Sequence, residues 1–381
     1  MSYMDFDAPT LAELRSRRSA KWRTYPPDVL PVWVAETDVR LADPIRQALH
    51  AAIDRDDTGY SHLDELRETV VDWLADKQGW KVGFDDVLGA PDVMVGIAEV
   101  LRAVTEPGDP VVLNPPVYPP FFATINAIGR RVVEVPLLSA DGDWALDLDG
   151  LRDAFAAGAR TYLMCSPHNP VGAVWPAETL AEVARLAERY GVTVLADEIH
   201  APLTLTGARH TPYATVPGAA EHCVVLTSAS KAWNLAGLKC AVAVTASERM
   251  RSALRQIPND LHWQVSHLGS IAMVAALRDG QPWLDELLPH LDRNRTLLAE
   301  LLAKALPEVG YQPPQASYLG WLDCRALDLG PDPAAAFLDR GRVALTAGSA
   351  FGAPGAGHVR LNLGTTREVL TEAVDRMSRV R

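Results

Sequence analysis

The chain has 381 residues, 48% of them hydrophobic and 22% charged, an ordinary globular composition in a length beyond one small domain. Its formal net charge of −12 argues against nucleic acid or an anionic membrane as partner, since both need a cationic face. Four scattered cysteines without a C-x-x-C pair, a polar stretch from Met1 to Arg23 and the lack of any membrane-length apolar span lead us to expect a cytoplasmic protein with reduced core thiols.

In chain order, Asp43-Pro44 reads as the N-cap and first-turn proline of a helix whose Ile45, Ala48, Leu49, Ala52 and Ile53 recur at helical spacing. A second helix carries Leu66, Val70, Trp73 and Leu74. A third carries Ile97, Val100, Leu101 and Val104 and is stopped by Pro107-Gly108. From there short apolar runs alternate with helical patterns. Strands are expected over 111–113, 161–165, 192–196, 224–227 and 241–245, with a helix over 176–190 ended by Gly191. That alternation predicts an α/β fold with a mostly parallel sheet covered by helices on both faces, and a ligand site outside the carboxyl ends of the strands. Beyond Pro282 a long helix (Leu284, Leu287, Leu291, Leu298, Leu302) leads into strand-like pieces at 319–322 and 343–346 and a last helix with Val369, Leu370, Ala373 and Met377. We therefore expect an N-terminal segment (1–44) packed with a smaller α+β domain (286–381), beside a large domain over 45–285.

Three strand ends carry chemistry. The run 224–226 empties into Thr227-Ser228-Ala229-Ser230-Lys231, and small hydroxyl residues with exposed backbone N–H groups suit a phosphate ester. A lysine beside them can form an imine with the aldehyde of a phosphate-bearing cofactor, although alone a lysine after a turn is usually a solvated surface charge. After 161–165 comes Ser166-Pro167-His168-Asn169-Pro170-Val171-Gly172, whose prolines and glycine force an irregular turn that either holds Asn169 at the sheet edge or is merely capped by it. After 192–196 comes Asp197-Glu198-Ile199-His200. A carboxylate at the end of a buried strand needs a partner: a protonated pyridine nitrogen, a structural cation or a helix N-terminus. An amide for a ring oxygen, a carboxylate for a ring nitrogen and an amine for an aldehyde, on successive strands, together fit pyridoxal phosphate. The ten histidines form no H-x-x-x-H pair, so no metal site is expected.

These strings resemble the fold-type I pyridoxal-phosphate enzymes of the class I/II aminotransferase superfamily. Leu30-Pro31-Val32-Trp33-Val34-Ala35-Glu36-Thr37-Asp38, Pro116-Val117-Tyr118-Pro119-Pro120-Phe121 and Lys231-Ala232-Trp233-Asn234-Leu235-Ala236-Gly237-Leu238-Lys239 resemble its MalY/PatB-type cystathionine β-lyase (cysteine C–S lyase) subgroup. The resemblance implies pyridoxal 5'-phosphate as cofactor, an amino acid as substrate and a homodimer with shared active sites. It implies Lys231 as Schiff-base lysine and proton-transfer base, Asp197 on the pyridine nitrogen, Asn169 and more softly His200 on the ring oxygen, and Tyr118 stacked on the ring. Ser228, Ser230 and Lys239, with backbone N–H groups near Val93 and Met94, would hold the phosphate. Tyr60 would reach the phosphate of the neighbouring subunit. Ala35, Asn169 and Arg360 would bind substrate, Arg360 as a bidentate clamp on the α-carboxylate. The implied reaction is β-elimination from L-cystathionine or another S-substituted cysteine. Transamination uses the same Lys231 and Asp197 and stays open, as does a regulatory interaction role. The chain departs from the subgroup at Ser166, where asparagine is usual, at Pro202, where an acidic residue is expected, and at Lys239, where aminotransferases usually have arginine.

Overall fold

The computed structural model describes residues 4–140 and 142–380. The apolar runs assemble into one seven-stranded sheet: β1 (Val87–Ala90), β2 (Pro110–Leu113), β3 (Arg131–Glu134), β4 (Thr161–Cys165), β5 (Thr193–Asp197), β6 (Cys223–Thr227) and β7 (Ala241–Val244). The spatial order is β1-β7-β6-β5-β4-β2-β3. Strands β2 to β6 run parallel, and β7 lies antiparallel to both β6 and β1. Every residue of β4, β5 and β6 is buried, which explains their unbroken apolar sequences: a parallel sheet needs cover on both faces.

Alternation along each strand divides the core. Leu113, Leu163, Leu195, Val224 and Leu226 pack on one face beneath Ile97, Val100 and Leu101 of α3 (Val93–Val104) and Phe121 and Ile125 of α4 (Pro119–Ala127). Val112, Tyr162, Met164, Val194, Ala196 and Val225 face the other way, into a cluster with Leu180, Val183 and Ala187 of α6 (Ala177–Tyr190). The helices α1 (Asp43–Asp54), α2 (Asp64–Lys77), α5 (Leu148–Ala156) and α7 (His267–Asp279) complete this layer. A 25-residue helix, α8 (Gln281–Ala305), then leads to a four-stranded antiparallel sheet. Its strands are β8 (Gly310–Tyr311), β9 (Leu319–Asp323), β10 (Thr346–Ala347) and β11 (His358–Asn362), in the order β8-β9-β11-β10, followed by the final helix α9 (Arg367–Ser378).

The structure moves several expected boundaries. Asp197 is the last residue of β5 rather than the one after it, because the ladder to Cys165 and Leu226 continues through it. Asp43 is the first helical residue of α1, after Ala42 at the cap position. The piece expected over 343–346 is two strands broken at Leu345. Val343–Ala344 pairs in parallel with Leu30–Pro31 of the N-terminal segment, and β10 turns into the antiparallel sheet. β1, β3, β8, β11, α4, α5 and α7 have no counterpart among the elements expected from the sequence. Edge strand β3 has no fully buried residue, so it carries no apolar run to recognise. Among the described residues no helix is long and apolar enough to cross a membrane, and no group of His, Cys, Asp or Glu could hold a metal ion.

Candidate active site

The parallel ladder sets the carboxyl ends of β4, β5 and β6 side by side, with Cys165 opposite Asp197 and Asp197 opposite Leu226. Asp197 is 4% exposed and its Oδ1 accepts the Ile199 N–H at 3.1 Å. Burial drives its carboxyl up to about 7, against the opposing pull of that hydrogen bond and of the Lys231 charge. Past β6, Ser228 Oγ donates to the Cys240 carbonyl at 2.6 Å and accepts the Ser230 N–H at 3.0 Å, which closes the turn that presents Lys231. Lys231 Nζ donates to the Ala35 carbonyl at 3.0 Å. Burial, helped by the Arg360 guanidinium, brings this amine down to about 8, into the range of a working base.

From the small sheet, β11 sends Arg360 toward the same place. Its Nη1 donates to Asn169 Oδ1 at 3.0 Å, its Nη2 to the Trp33 carbonyl at 3.1 Å, and the guanidinium lies over the Phe351 ring at 5.1 Å. All these partners are neutral, and Nε is buried with none. Burial lowers Arg360 to about 10, so it stays cationic at neutral pH, and no carboxylate among the described residues pairs with it. His200 is buried against the edge of Tyr318, with ring centroids 6.4 Å apart. Burial, with the Lys231 and Arg360 charges, lowers it to about 3, and Nδ1 finds no partner, so this imidazole is neutral. Tyr118 precedes α4, set edge-on to Phe121, and burial raises its phenol.

At the far end lies the N-terminus of α3. Asp92 caps it by accepting the Val95 N–H at 2.8 Å, and Lys239 Nζ donates to Asp92 Oδ2 at 2.8 Å. Lys239 takes a left-handed conformation (φ 54), which turns its stem back over this helix end. The first-turn N–H groups of α3 and the lysine ammonium thus gather at one corner of the molecule, around the Asp92 carboxylate.

A cavity of about 190 Å³ joins these parts. Ala35, Val93, Met94, Tyr118, Asn169, Asp197, His200, Ser230, Lys231 and Lys239 all line it, so most of the expected site residues converge. Three stand apart. Ser228 sits behind the wall with its hydroxyl on Cys240, Arg360 reaches in through Asn169, and Tyr60 is 82% exposed and stacks edge-on with Trp263. Asp92, Cys165, Ile199 and Ala236 also line the cavity and lie outside the expected set. The sequence signal for Asp92 is its place as an N-cap before the apolar run of α3; for Ile199 and Ala236 the sequence holds no signal.

A mostly parallel α/β sheet whose strand ends bring a lysine, an acid and a helix N-terminus around one cavity defines a cofactor-using α/β enzyme architecture. The family model for aminotransferase class I and II matches residues 27–377, and the chain belongs to that family. It is 47% identical over 392 residues to a Mycobacterium leprae protein that carries a provisional cystathionine beta-lyase name, covering 97% of this chain and 96% of that one. It is 35% identical to the cystathionine beta-lyase PatB of Bacillus subtilis, covering 92% of each. The crystal structure of cystalysin from Treponema denticola, which contains pyridoxal 5'-phosphate, superposes with a TM-score of 0.94 at 26% identity, over 100% of this chain and 99% of that one.

Proposed function

We propose that this protein is a pyridoxal 5'-phosphate-dependent carbon–sulfur lyase. Its reaction is elimination of the thiol from L-cystathionine or a related S-substituted L-cysteine, with release of pyruvate and ammonia. One observation carries the reading: a half-buried amine (Lys231) and a buried acid without a cationic hydrogen-bond partner (Asp197) line one cavity, and a buried arginine without a carboxylate (Arg360) reaches it through Asn169. Each lacks a complement that the cofactor with an α-amino acid supplies. The names of the relatives support elimination over transamination.

The residues fit the cofactor. Asp197 would give the counter-charge to a ring nitrogen, and a positive charge there would return its carboxyl to the ionised form. Asn169, its oxygen taken by Arg360, offers its amide N–H to the ring oxygen, with neutral His200 nearby. Tyr118, in the cavity wall, would cover the ring face. Ser230, Lys239 and the α3 N-terminus at Val93 and Met94 would hold the phosphate, with Ser228 bracing Ser230 from behind. When bound, the cofactor supplies an electron-accepting ring for the charge left at the substrate Cα. Arg360 grips the α-carboxylate beside Ala35 and Asn169, and its fixed contacts set the orientation of Cα toward Lys231. Lys231 Nζ takes the Cα proton. The Cβ–S bond then breaks with its electron pair leaving on sulfur. In balance, one water is consumed for one thiol, one pyruvate and one ammonia.

The exposed Tyr60–Trp263 pair supports a homodimer in which Tyr60 reaches the partner's phosphate corner. The pairing of Leu30–Pro31 with Val343–Ala344 supports a division into an N-terminal segment (1–44) and a small domain (286–381) that pack together, beside a large domain (45–285). Four free buried cysteines support a cytoplasmic setting. The test is a panel of S-substituted cysteines, cystathionine included, assayed for pyruvate, with Lys231→Ala as control. We expect pyruvate from the wild type, and from the control neither turnover nor visible cofactor absorption in a still-folded protein. A keto acid formed only with an added acceptor, without pyruvate from any thioether, assigns transamination instead.

A further inference from the structure

The stretch 33–37, which touches the cavity at Ala35, is a strap held by side chains rather than by a neighbouring strand. Each of its carbonyls accepts at least one side-chain hydrogen bond. Trp33 O takes Arg360 Nη2 (3.1 Å) and Thr346 Oγ1 (2.7 Å), and Val34 O takes Asn362 Nδ2 (2.7 Å). Ala35 O takes Lys231 Nζ (3.0 Å) and Tyr318 OH (3.2 Å). Glu36 O takes Asn362 Nδ2 (2.6 Å) and Lys21 Nζ (3.1 Å), and Thr37 O takes Asn234 Nδ2 (3.0 Å). Two cations of the site, half-buried Lys231 and buried Arg360, therefore hang on alternate carbonyls of one piece of backbone.

Asn234 closes this arrangement. Its Oδ1 accepts the Thr37 N–H and its Nδ2 donates to the Thr37 carbonyl, both at 3.0 Å, so its amide pairs with that peptide as an adjacent strand would. It sits three residues after Lys231 in the same turn, in a left-handed conformation (φ 58) that asparagine tolerates. The lysine-bearing turn is thus joined to the strap at two points, Lys231 to Ala35 and Asn234 to Thr37. Tyr318, fully buried, adds a second donor on the Ala35 oxygen and keeps that carbonyl in place whether or not the lysine is there.

We propose that Asn234 and Tyr318 are positioning residues for the Lys231 amine. Resting on the lyase reading above, they hold the Ala35 carbonyl where it receives Nζ whenever the amine is free, which fixes the base for removal of the Cα proton. A lysine has four rotatable side-chain bonds, and an acceptor at a set point selects one placement among many. Neither residue touches the reacting atoms in this account.

The experiment compares wild-type holoenzyme with Asn234→Gly, which keeps the left-handed backbone unstrained while removing the amide, and with Tyr318→Phe, which removes one hydroxyl. Three measurements are made: kcat and KM for an S-substituted cysteine, the isotope effect on kcat with α-deuterated substrate, and hydrogen exchange of the peptide spanning 33–38. For Asn234→Gly we expect kcat to fall about tenfold or more with KM changed less than about threefold, and the isotope effect to rise as proton removal becomes limiting. Exchange at Thr37 should quicken while the sheet core keeps its protection. Tyr318→Phe should show the same isotope effect with a smaller loss. Unchanged kcat and isotope effect in both variants overturn the proposal. So does a loss of activity matched by a lowered melting temperature with no change in isotope effect. A wild-type protein that forms no pyruvate refutes the lyase reading instead, and is seen before any variant is made.

Discussion

Asp197 offers a test that needs no substrate. In the cofactor-free chain its carboxyl titrates at about 7 rather than at 3.8, because burial penalises the charged form. A raised acid stabilises the fold only while protonated. The contribution is complete below about pH 4 and is lost as pH rises through about 7, since over that window the folded state keeps a proton that the unfolded chain releases. The slope is about 1.4 kcal/mol per pH unit, and over roughly three units the loss reaches about 4 kcal/mol. Asn at 197 has nearly the same shape, still accepts the Ile199 N–H and binds no proton. Urea unfolding of cofactor-free wild type and Asp197→Asn from pH 4 to 7.5 should therefore give curves that coincide at the acid end and diverge by up to about 4 kcal/mol, the variant being the more stable. The Lys231 shift, from 10.5 to about 8, acts above this window and does not mask it. With cofactor bound, the ring charge compensates Asp197, the slope should flatten, and the variant should lose turnover. Parallel stability curves for the two cofactor-free proteins refute the account of a buried, uncompensated acid.

Other expectations follow from individual contacts. Arg360→Lys keeps the charge but loses the fork that serves Asn169 and Trp33, at a cost of about 2 kcal/mol, so KM for an amino-acid substrate should rise roughly thirtyfold; an unchanged KM excludes Arg360 as the carboxylate clamp. Refolding Lys231→Ala with Tyr60→Ala as a mixture should restore about a quarter of wild-type activity, since half the dimers are mixed and each has one intact site. No recovery above the separate variants excludes shared sites. Gly172 has φ +67, and a Cβ there would overlap Pro314 Cβ and approach the Ala316 carbonyl at 3.0 Å. Gly172→Ala should lower stability by about 2–4 kcal/mol in urea unfolding, and a loss under about 1 kcal/mol means the Asn169 turn can move away from the small sheet.

What the sequence by itself determined is the chemistry carried by local strings. Continuous apolar runs of 161–165 and 224–227 announce buried parallel strands, because a strand covered on both faces has no polar side to alternate. The residues that follow such strands are therefore legible as a site from their order along the chain. Edge strand β3 and helix α5 are not legible, since partial burial leaves a short mixed pattern, and α4 and α7 are not, since their mostly apolar runs carry no clear helical period. Only the tertiary structure decided which charges lack partners. That Arg360 meets Asn169 across 191 positions of sequence, with no carboxylate beside it, depends on a small sheet folding back onto the large one. The support of Ala35 by Lys231 and Tyr318, and of Thr37 by Asn234, lies likewise in backbone carbonyls. A carbonyl is the same in every residue, so no choice of side chain at 35 or 37 could have announced it.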